Sequence, residues 1–281
     1  MKIPQKLATA YIRLKLKLLT VLSKKRAAQK AFELFSTPFV KKMRRSPSVF
    51  KTAELLDFNF NGLNIHGYHW NRSKPNKVLI IHGFSSQAYK FKSYVERLIT
   101  KKYEVVAFDA PAHGSSEGKT LNALEYSEVI KKIIELYGPF TGFIAHSFGA
   151  IALSLALENT PHDKNTKVVF IAPATETTTS IRIALKFLRV KNEAVKKEIN
   201  NIVYRLSGKD TQWFSIKRAM ENISASVLWI HDEDDEITPL EDALCVQNEN
   251  FQNVTFFITK GLGHRKIYHD RDIKKRVIDF L

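Results

Sequence analysis

The sequence predicts an α/β protein in which a mostly parallel sheet carries helices on both faces. From residue 53 onward, short apolar strands alternate with amphipathic helical segments, which is the pattern of a parallel sheet. The 281 residues are 44% hydrophobic and 26% charged, as in a globular chain that buries a core. A single large domain with appendages is therefore expected.

Each element follows from local periodicity and turn signals. Two strands, 53–60 and 63–70, flank Asn61-Gly62, a pair typical of tight hairpin turns. Further strands are predicted at 77–81, 103–108, 141–145, 167–172, 226–230 and 254–259. Helices are predicted at 90–100, 121–136, 148–158 and 270–280.

One interval, residues 173–225, breaks the alternation because it is too long for a plain connection. Its apolar residues are spaced as in two or three short helices, and we interpret it as a small helical cap. The alternative is an ordinary crossover with an extra helix packed on the sheet edge.

The net charge of +16 is concentrated at the N-terminus, where residues 1–51 hold 14 basic residues and the single acid Glu33. The remaining domain, 52–281, is nearly balanced, so a nucleic-acid-binding fold with a basic surface stripe is disfavoured. The one cysteine, Cys245, allows no intrachain disulfide and favours a reducing, cytoplasmic location.

The basic arm, residues 1–51, is predicted to contain an amphipathic helix with no run apolar enough to span a membrane. One face carries Leu7, Tyr11, Leu14, Leu18 and Leu22, and another carries Lys2, Lys6, Arg13, Lys17 and Lys24. Such a helix can lie on an anionic membrane surface through residues 1–30. Docking on the rest of the chain and a cleaved organelle presequence are the alternatives.

The segment Ala145-His146-Ser147-Phe148-Gly149 lies between a predicted strand and a predicted helix. This context is that of a nucleophile elbow, in which small neighbours allow a serine to project from a tight turn. The pentapeptide resembles the Ala-His-Ser variant found in some small bacterial lipases of the α/β-hydrolase family. That resemblance covers about residues 53 to 281 and implies the α/β-hydrolase fold, with Ser147 as nucleophile.

A serine nucleophile needs a base and an acid, and in this family the chain order is serine, then acid, then histidine. Residues 229–239 resemble the family's acid loop, whose carboxylate lies four residues before a proline, here Asp235. Asp232 and Asp234 remain alternatives. A calcium loop at this place is not expected, because Ile237 stands where such a loop needs glycine.

Residues 261–264, Gly-Leu-Gly-His, resemble the family's loop for the general base, which implies His264. Surface or packing roles are expected for other histidines, among them His66, His69, His162 and His269.

Two backbone amides are expected to bind the oxyanion. Phe148 follows the nucleophile and opens a helix, and Phe84 lies in a segment similar to the family's His-Gly-x loop. His82 is expected to brace that loop, and residues 109–116 resemble a structural loop of the family.

These features predict a serine hydrolase that cleaves carboxylic esters through an acyl-enzyme, with no cofactor and no metal. The expected substrate is a small-molecule ester with an acyl chain. An acyltransferase or thioesterase using the same triad is the alternative, followed by a catalytically silent, membrane-associated binding module. Peptide cleavage is disfavoured because the His-Gly-Gly-Pro-Gly loop of proline iminopeptidases is absent from the sequence.

Overall fold

The computed structural model describes residues 3–39 and 46–281, and these form two compact units. The smaller unit contains the described residues up to Thr37 together with Glu176–Phe214. The larger contains Ser215–Leu281 and the described residues between 38 and 175.

An eight-stranded sheet forms the centre of the larger unit. Its strands are β1 (Glu54–Phe60), β2 (Leu63–Trp70), β3 (Lys77–Ile81), β4 (Glu104–Phe108), β5 (Gly142–His146), β6 (Lys167–Ile171), β7 (Ser226–Asp232) and β8 (Val254–Thr259). The order across the sheet is β1-β2-β4-β3-β5-β6-β7-β8, with β3 to β8 parallel and β1 and β2 antiparallel. The predicted mostly parallel α/β fold is confirmed.

The helices lie close to their predicted places. In chain order they are α1 (Ile3–Leu22), α2 (Lys24–Ser36), α3 (Lys92–Thr100), α4 (Ala123–Tyr137), α5 (Phe148–Leu157), α6 (Thr177–Leu188), α7 (Glu193–Ser207), α8 (Ile216–Ala219), α9 (Leu240–Gln247), α10 (Gly263–Lys266) and α11 (Arg271–Phe280). Helix α5 is buried on all sides except at Phe148, so it is the central helix of the larger unit.

The hairpin of β1 and β2 forms where the sequence predicts it. Asn61 and Gly62 both have positive φ angles, 50° and 82°, which a two-residue hairpin turn requires and which Asn and Gly tolerate. The Gly62 amide donates to Oδ1 of Asn59 at 3.0 Å, which closes the turn.

Four helices, α1, α2, α6 and α7, make up the smaller unit. Their shared core consists of Leu16, Ala27, Ala28, Ala31, Leu185, Leu188, Val190, Val195 and Ile199. The alanines of α2 allow its backbone to approach α7 closely. Helix α7 is capped by Asn192, whose side chain accepts from the Val195 amide, and it ends at Gly208 in the left-handed region.

The helices of the N-terminal arm thus share one core with α6 and α7 of the long interval, a pairing that the sequence does not predict. That α6 and α7 act as a cap stays a prediction. Within the described ranges, no helix is both long and apolar enough to cross a membrane.

Candidate active site

Ser147 occupies the tight turn between β5 and α5, with φ 55° and ψ −123°. This backbone conformation is strained for a residue other than glycine. Three hydrogen bonds hold it: the Ser147 amide donates to the Ile171 carbonyl at 3.1 Å, and the Ser147 carbonyl accepts from the amides of Ala150 and Ala174. The turn therefore has the geometry of a nucleophile elbow.

Small neighbours are a steric requirement of this turn. A Cβ atom added to Gly149 would lie 2.5 Å from the carbonyl oxygen of His82, and one added to Gly83 would lie 3.0 Å from Cβ of Ser147. Ala145, which replaces the first glycine of the usual motif, is fully buried between its neighbours on β3 and β6. Alanine is thus small enough for the elbow to form.

His264 and Asp235 are brought together by the parallel pairing of β7 and β8. Asp235 follows β7 and His264 follows β8, and the carboxyl ends of neighbouring parallel strands meet at one sheet edge. Nδ1 of His264 donates to Oδ2 of Asp235 at 2.8 Å. This bond fixes the tautomer of His264 and leaves its Nε2 free to accept a proton.

The Asp235 side chain is buried and held by four donors. Its Oδ1 accepts from the amides of Ile237 at 2.9 Å and Thr238 at 2.8 Å, and its Oδ2 accepts from Oγ1 of Thr238 at 2.8 Å as well as from His264. Burial alone would raise the pKa of Asp235, but the bonds from His264 and Thr238 hold it below its ordinary value. Asp235 is therefore a carboxylate at neutral pH.

The two alternative carboxylates hold the loop that carries His264. Asp232 accepts from the amides of Gly263 at 2.8 Å and Leu262 at 3.1 Å. Asp234 accepts from the Gly261 amide at 2.9 Å. Of the three acids considered from the sequence, Asp235 is the one hydrogen-bonded to His264, whereas Asp232 and Asp234 position the backbone next to it.

His146, the residue before Ser147, links the elbow to the His264 loop. Its Nε2 donates to the His264 carbonyl at 3.3 Å, and the two imidazole centroids are 4.9 Å apart. Burial and the neighbouring His264 lower the pKa of His146 to about 3, so its ring is neutral. His264 therefore lies against His146, the residue that directly precedes Ser147.

The two amides predicted to bind the oxyanion belong to Phe84, in the loop after β3, and Phe148, at the start of α5. The rings of Phe84 and Phe148 meet edge to face with centroids 5.5 Å apart, so their loops lie side by side. Among the residues that the structure describes, neither amide has a hydrogen-bond partner. Because Phe148 is the first residue of α5, its amide also lies at the positive end of the helix dipole.

His82 braces the loop after β3, as the sequence predicts. Its Nδ1 donates to the Gly83 carbonyl at 2.8 Å and its Nε2 accepts from the Ala110 amide at 3.0 Å. Burial, with a smaller contribution from His113, lowers the pKa of His82 to about 3. With both ring nitrogens engaged, His82 is a structural group and not a base.

Sequence reasoning missed three supporting residues: Thr238, Asp232 as a loop anchor, and His146. For Thr238 a signal was present, because Asp followed three residues later by Thr is typical of a turn closed by side-chain hydrogen bonds. For Asp232 the signal was its place in the acid loop at the end of β7, where it is an alternative to Asp235. In the described part of the chain, no group of three or more His, Cys, Asp or Glu side chains is arranged to hold a metal ion.

The parallel sheet, the elbow and the acid–histidine pair define the chain as an α/β-hydrolase. A family model described as serine aminopeptidase, S33, matches residues 73–215, about half of the chain. The chain belongs to this family.

Among curated proteins, an uncharacterized hydrolase of Bacillus subtilis, YugF, is 29% identical over 106 residues. The match covers 36% of this chain and 38% of that protein.

Several solved structures share the fold. The Pyrococcus furiosus esterase Pf2001 superposes with a TM-score of 0.66 at 18% identity, covering 88% of this chain and 97% of that one. The α/β hydrolase domain-containing protein 10 from mouse has a TM-score of 0.61 at 19% identity, covering 81% and 96%. A monoacylglycerol lipase from Paleococcus ferrophilus has a TM-score of 0.56 at 24% identity, covering 77% and 99%. At these identities the matches establish the fold alone.

Proposed function

We propose that the protein hydrolyses carboxylic esters of small molecules that carry an acyl chain. The observation that carries this proposal is the 2.8 Å hydrogen bond between His264 and Asp235 at the sheet edge that also holds the Ser147 elbow. A serine, a tautomer-fixed imidazole and a buried carboxylate are the groups that acyl transfer requires.

In the proposed mechanism, Oγ of Ser147 attacks the ester carbonyl carbon while Nε2 of His264 takes its proton. Asp235 stabilises the imidazolium that forms. The negative charge on the carbonyl oxygen is stabilised by the amides of Phe84 and Phe148, each worth a few kcal/mol. His264 then returns the proton to the leaving alcohol, which yields the acyl-enzyme.

Deacylation repeats these steps with water as the nucleophile. His264 takes a proton from water as its oxygen attacks the acyl carbon, and the tetrahedral intermediate expels Ser147, which regains its proton from His264. The products are the carboxylic acid and free enzyme, so no cofactor enters the balance.

The aromatic surroundings of the elbow favour an acyl substrate. The rings of Phe84 and Phe148 adjoin the predicted nucleophile, and Tyr126 stacks on Phe148 with centroids 6.3 Å apart. Such a wall contributes apolar contact to an alkyl chain. The names of two solved relatives, an esterase and a monoacylglycerol lipase, point the same way.

Acyl transfer to an alcohol and thioester hydrolysis use the same groups and are the alternatives within this chemistry. A second candidate, aminopeptidase activity, is favoured by the description of the family model. A catalytically silent binding module is the least favoured, because Asp235 and His264 are assembled as in an active enzyme.

The test is the hydrolysis of p-nitrophenyl esters from acetate to laurate, with leucine p-nitroanilide and an acyl thioester as competing substrates. Ser147→Ala should lower kcat by at least about a thousandfold. Ser154→Ala is the matched control, because Ser154 lies in α5 away from the elbow turn and its hydroxyl donates to the Ala150 carbonyl of the same helix. Faster turnover of the anilide, or full activity of Ser147→Ala, would overturn the proposal.

A further inference from the structure

Helix α1 has two apolar faces, and only one of them is used inside the protein. Leu16 is fully buried, and Ile12 and Leu19 pack partly buried against the core of the smaller unit. An ordinary surface helix has a single apolar face of this kind, with polar residues opposite.

The opposite face of α1 carries a stripe of large hydrophobic side chains that are 57% to 80% exposed: Leu7, Tyr11, Leu14, Leu18, Val21 and Leu22. We call these six residues the leucine stripe. At about 100° per residue, they lie within one narrow sector centred opposite Leu16. Six of the thirteen large hydrophobics exposed in the described chain are therefore on this one helix face.

Contiguous apolar surface of this kind marks an interaction site, because leaving it in water forgoes about 25 cal/mol for each Å² that could be buried. Scattered exposed leucines need no such explanation. The arrangement on α1 is a continuous row along about 23 Å of helix, from Leu7 to Leu22.

Cations flank the leucine stripe. Lys15 lies on one side of it and Lys17 on the other, both exposed, and Lys24, Lys25 and Arg26 follow at the start of α2. None of these five forms an ion pair with a carboxylate of the described chain. Their positive charge is thus available to an external anion.

The charge of the whole smaller unit has the same sign. Residues 3–37 and 176–214 hold 16 basic and 5 acidic residues, a net charge of +11. The other described residues hold 23 of each and are balanced. The excess charge of the described chain therefore belongs to the unit that carries the leucine stripe.

A groove of about 410 Å³ continues from the stripe within the smaller unit. Its walls include Leu14 and Val21 of the leucine stripe, together with Lys17, Arg189 and Lys191. Apolar residues beside several cations suit a ligand that joins an alkyl chain to an anionic headgroup.

We propose that α1 docks on an anionic lipid bilayer, lying flat in the interface with the leucine stripe among the outer acyl carbons and the flanking lysines at the phosphates. This goes beyond the proposed hydrolase activity and does not rest on it. A nucleic acid is a less suitable partner for the leucine stripe, because bases stack on aromatic side chains and the stripe consists mainly of leucines. A second copy of the chain would bring two strongly cationic units face to face.

The experiment is vesicle flotation of the full chain with phosphatidylcholine vesicles and with mixed phosphatidylcholine–phosphatidylglycerol vesicles. Binding is expected to the mixed vesicles, to weaken with added salt, and to be slight on neutral ones. Leu14→Ser/Leu18→Ser should weaken it by at least about tenfold, given the transfer energy of two leucines. Leu55→Ser/Leu136→Ser is the matched control, since these exposed leucines lie outside α1.

Equal binding by the two double variants, or equal binding to neutral and anionic vesicles, would overturn the proposal. So would a dimer in light scattering that Leu14→Ser/Leu18→Ser dissociates, because the stripe would then be covered by a second copy. Hydrolysis of p-nitrophenyl acetate by the stripe variant should match wild type, and Ser147→Ala should float like wild type. Failure of the lipid proposal and failure of the hydrolase proposal are thereby separated.

Discussion

The hydroxyl of Thr238 joins the two predicted partners of Ser147. Its Oγ1 donates to Oδ2 of Asp235 at 2.8 Å and lies 3.1 Å from Nδ1 of His264. The His264 proton is thus shared between a carboxylate and a hydroxyl that are themselves bonded. In the proposed mechanism Thr238 is a positioning residue, because it reaches the reacting atoms only through His264 and Asp235.

Replacing Thr238 by valine keeps the shape and removes this hydroxyl. We expect kcat to fall by about tenfold to a hundredfold, as one hydrogen bond to a charged group is worth about 1.5 to 3 kcal/mol, with KM unchanged. Thr238→Ser should restore most of the rate, and Thr255→Val, at the exposed position of β8, is the matched control. The check is ester kinetics for all three variants; a purely structural Thr238 would change KM and kcat alike and would not be rescued by serine.

At the scale of the element, the carboxylate of Asp232 accepts more hydrogen bonds from the segment between β8 and α10 than the carboxylate of Asp234 does. Asp232 accepts from the Leu262 and Gly263 amides and from Oγ1 of Thr259 at 2.7 Å. Burial alone would raise its pKa, but these donors hold it below its usual value, so the group is charged. This set of donors needs two acceptor oxygens on one side chain. A carboxylate provides two, whereas a carboxamide provides one.

Asp232→Asn should therefore both loosen the His264 loop and destabilise the fold. We expect a loss of about 2 to 4 kcal/mol in the free energy of unfolding, because an amide group would face backbone N–H donors, and a clear fall in kcat. Asp234→Asn is the control, since Asp234 bonds the loop only through Gly261. Urea unfolding and ester kinetics measure the two effects, and equal behaviour of the two variants would refute the assignment.

Most of the secondary-structure elements could be predicted from the sequence, but some contacts between them could not. Strand–helix alternation predicts the sheet, and the motif order predicts which sheet edge holds Ser147, Asp235 and His264. The sequence does not reveal that α2 packs on α7, because the alanines that make this contact lie far apart in the chain from Val195 and Ile199. The spacing of Asp235 and Thr238 indicates a local turn, but it does not reveal that the Thr238 hydroxyl also lies beside His264, because that contact forms only when the loops after β7 and β8 come together.

At the scale of the whole molecule, three histidines are folded into the larger unit as neutral rings. Burial lowers the pKa of His82 and His146 to about 3 and that of His113 to about 4, from an ordinary 6.5. In the unfolded chain each of these histidines takes up a proton with the ordinary pKa of 6.5. The neutral rings thus couple stability to pH.

The free energy of unfolding should accordingly be highest above pH of about 6.5 and fall as the pH drops toward 4. Between these pH values the three histidines bind protons in the unfolded chain but not in the folded one. Each histidine therefore lowers the free energy of unfolding by roughly 1 kcal/mol for every pH unit of acidification. His113→Asn should remove the contribution of one histidine, roughly 1 kcal/mol per pH unit, from this pH dependence of the unfolding free energy. Urea midpoints across this range are the measurement, and a flat profile in wild type would contradict the account.

Whether Ser147 is an activated nucleophile can be measured by fluorophosphonate labelling, with the adduct located by peptide mass spectrometry. We expect a single adduct on Ser147 in folded wild type, a much slower one in His264→Ala, and none after unfolding in urea. An adduct on another serine, or an unlabelled Ser147 in the folded protein, would contradict the proposed role of Ser147.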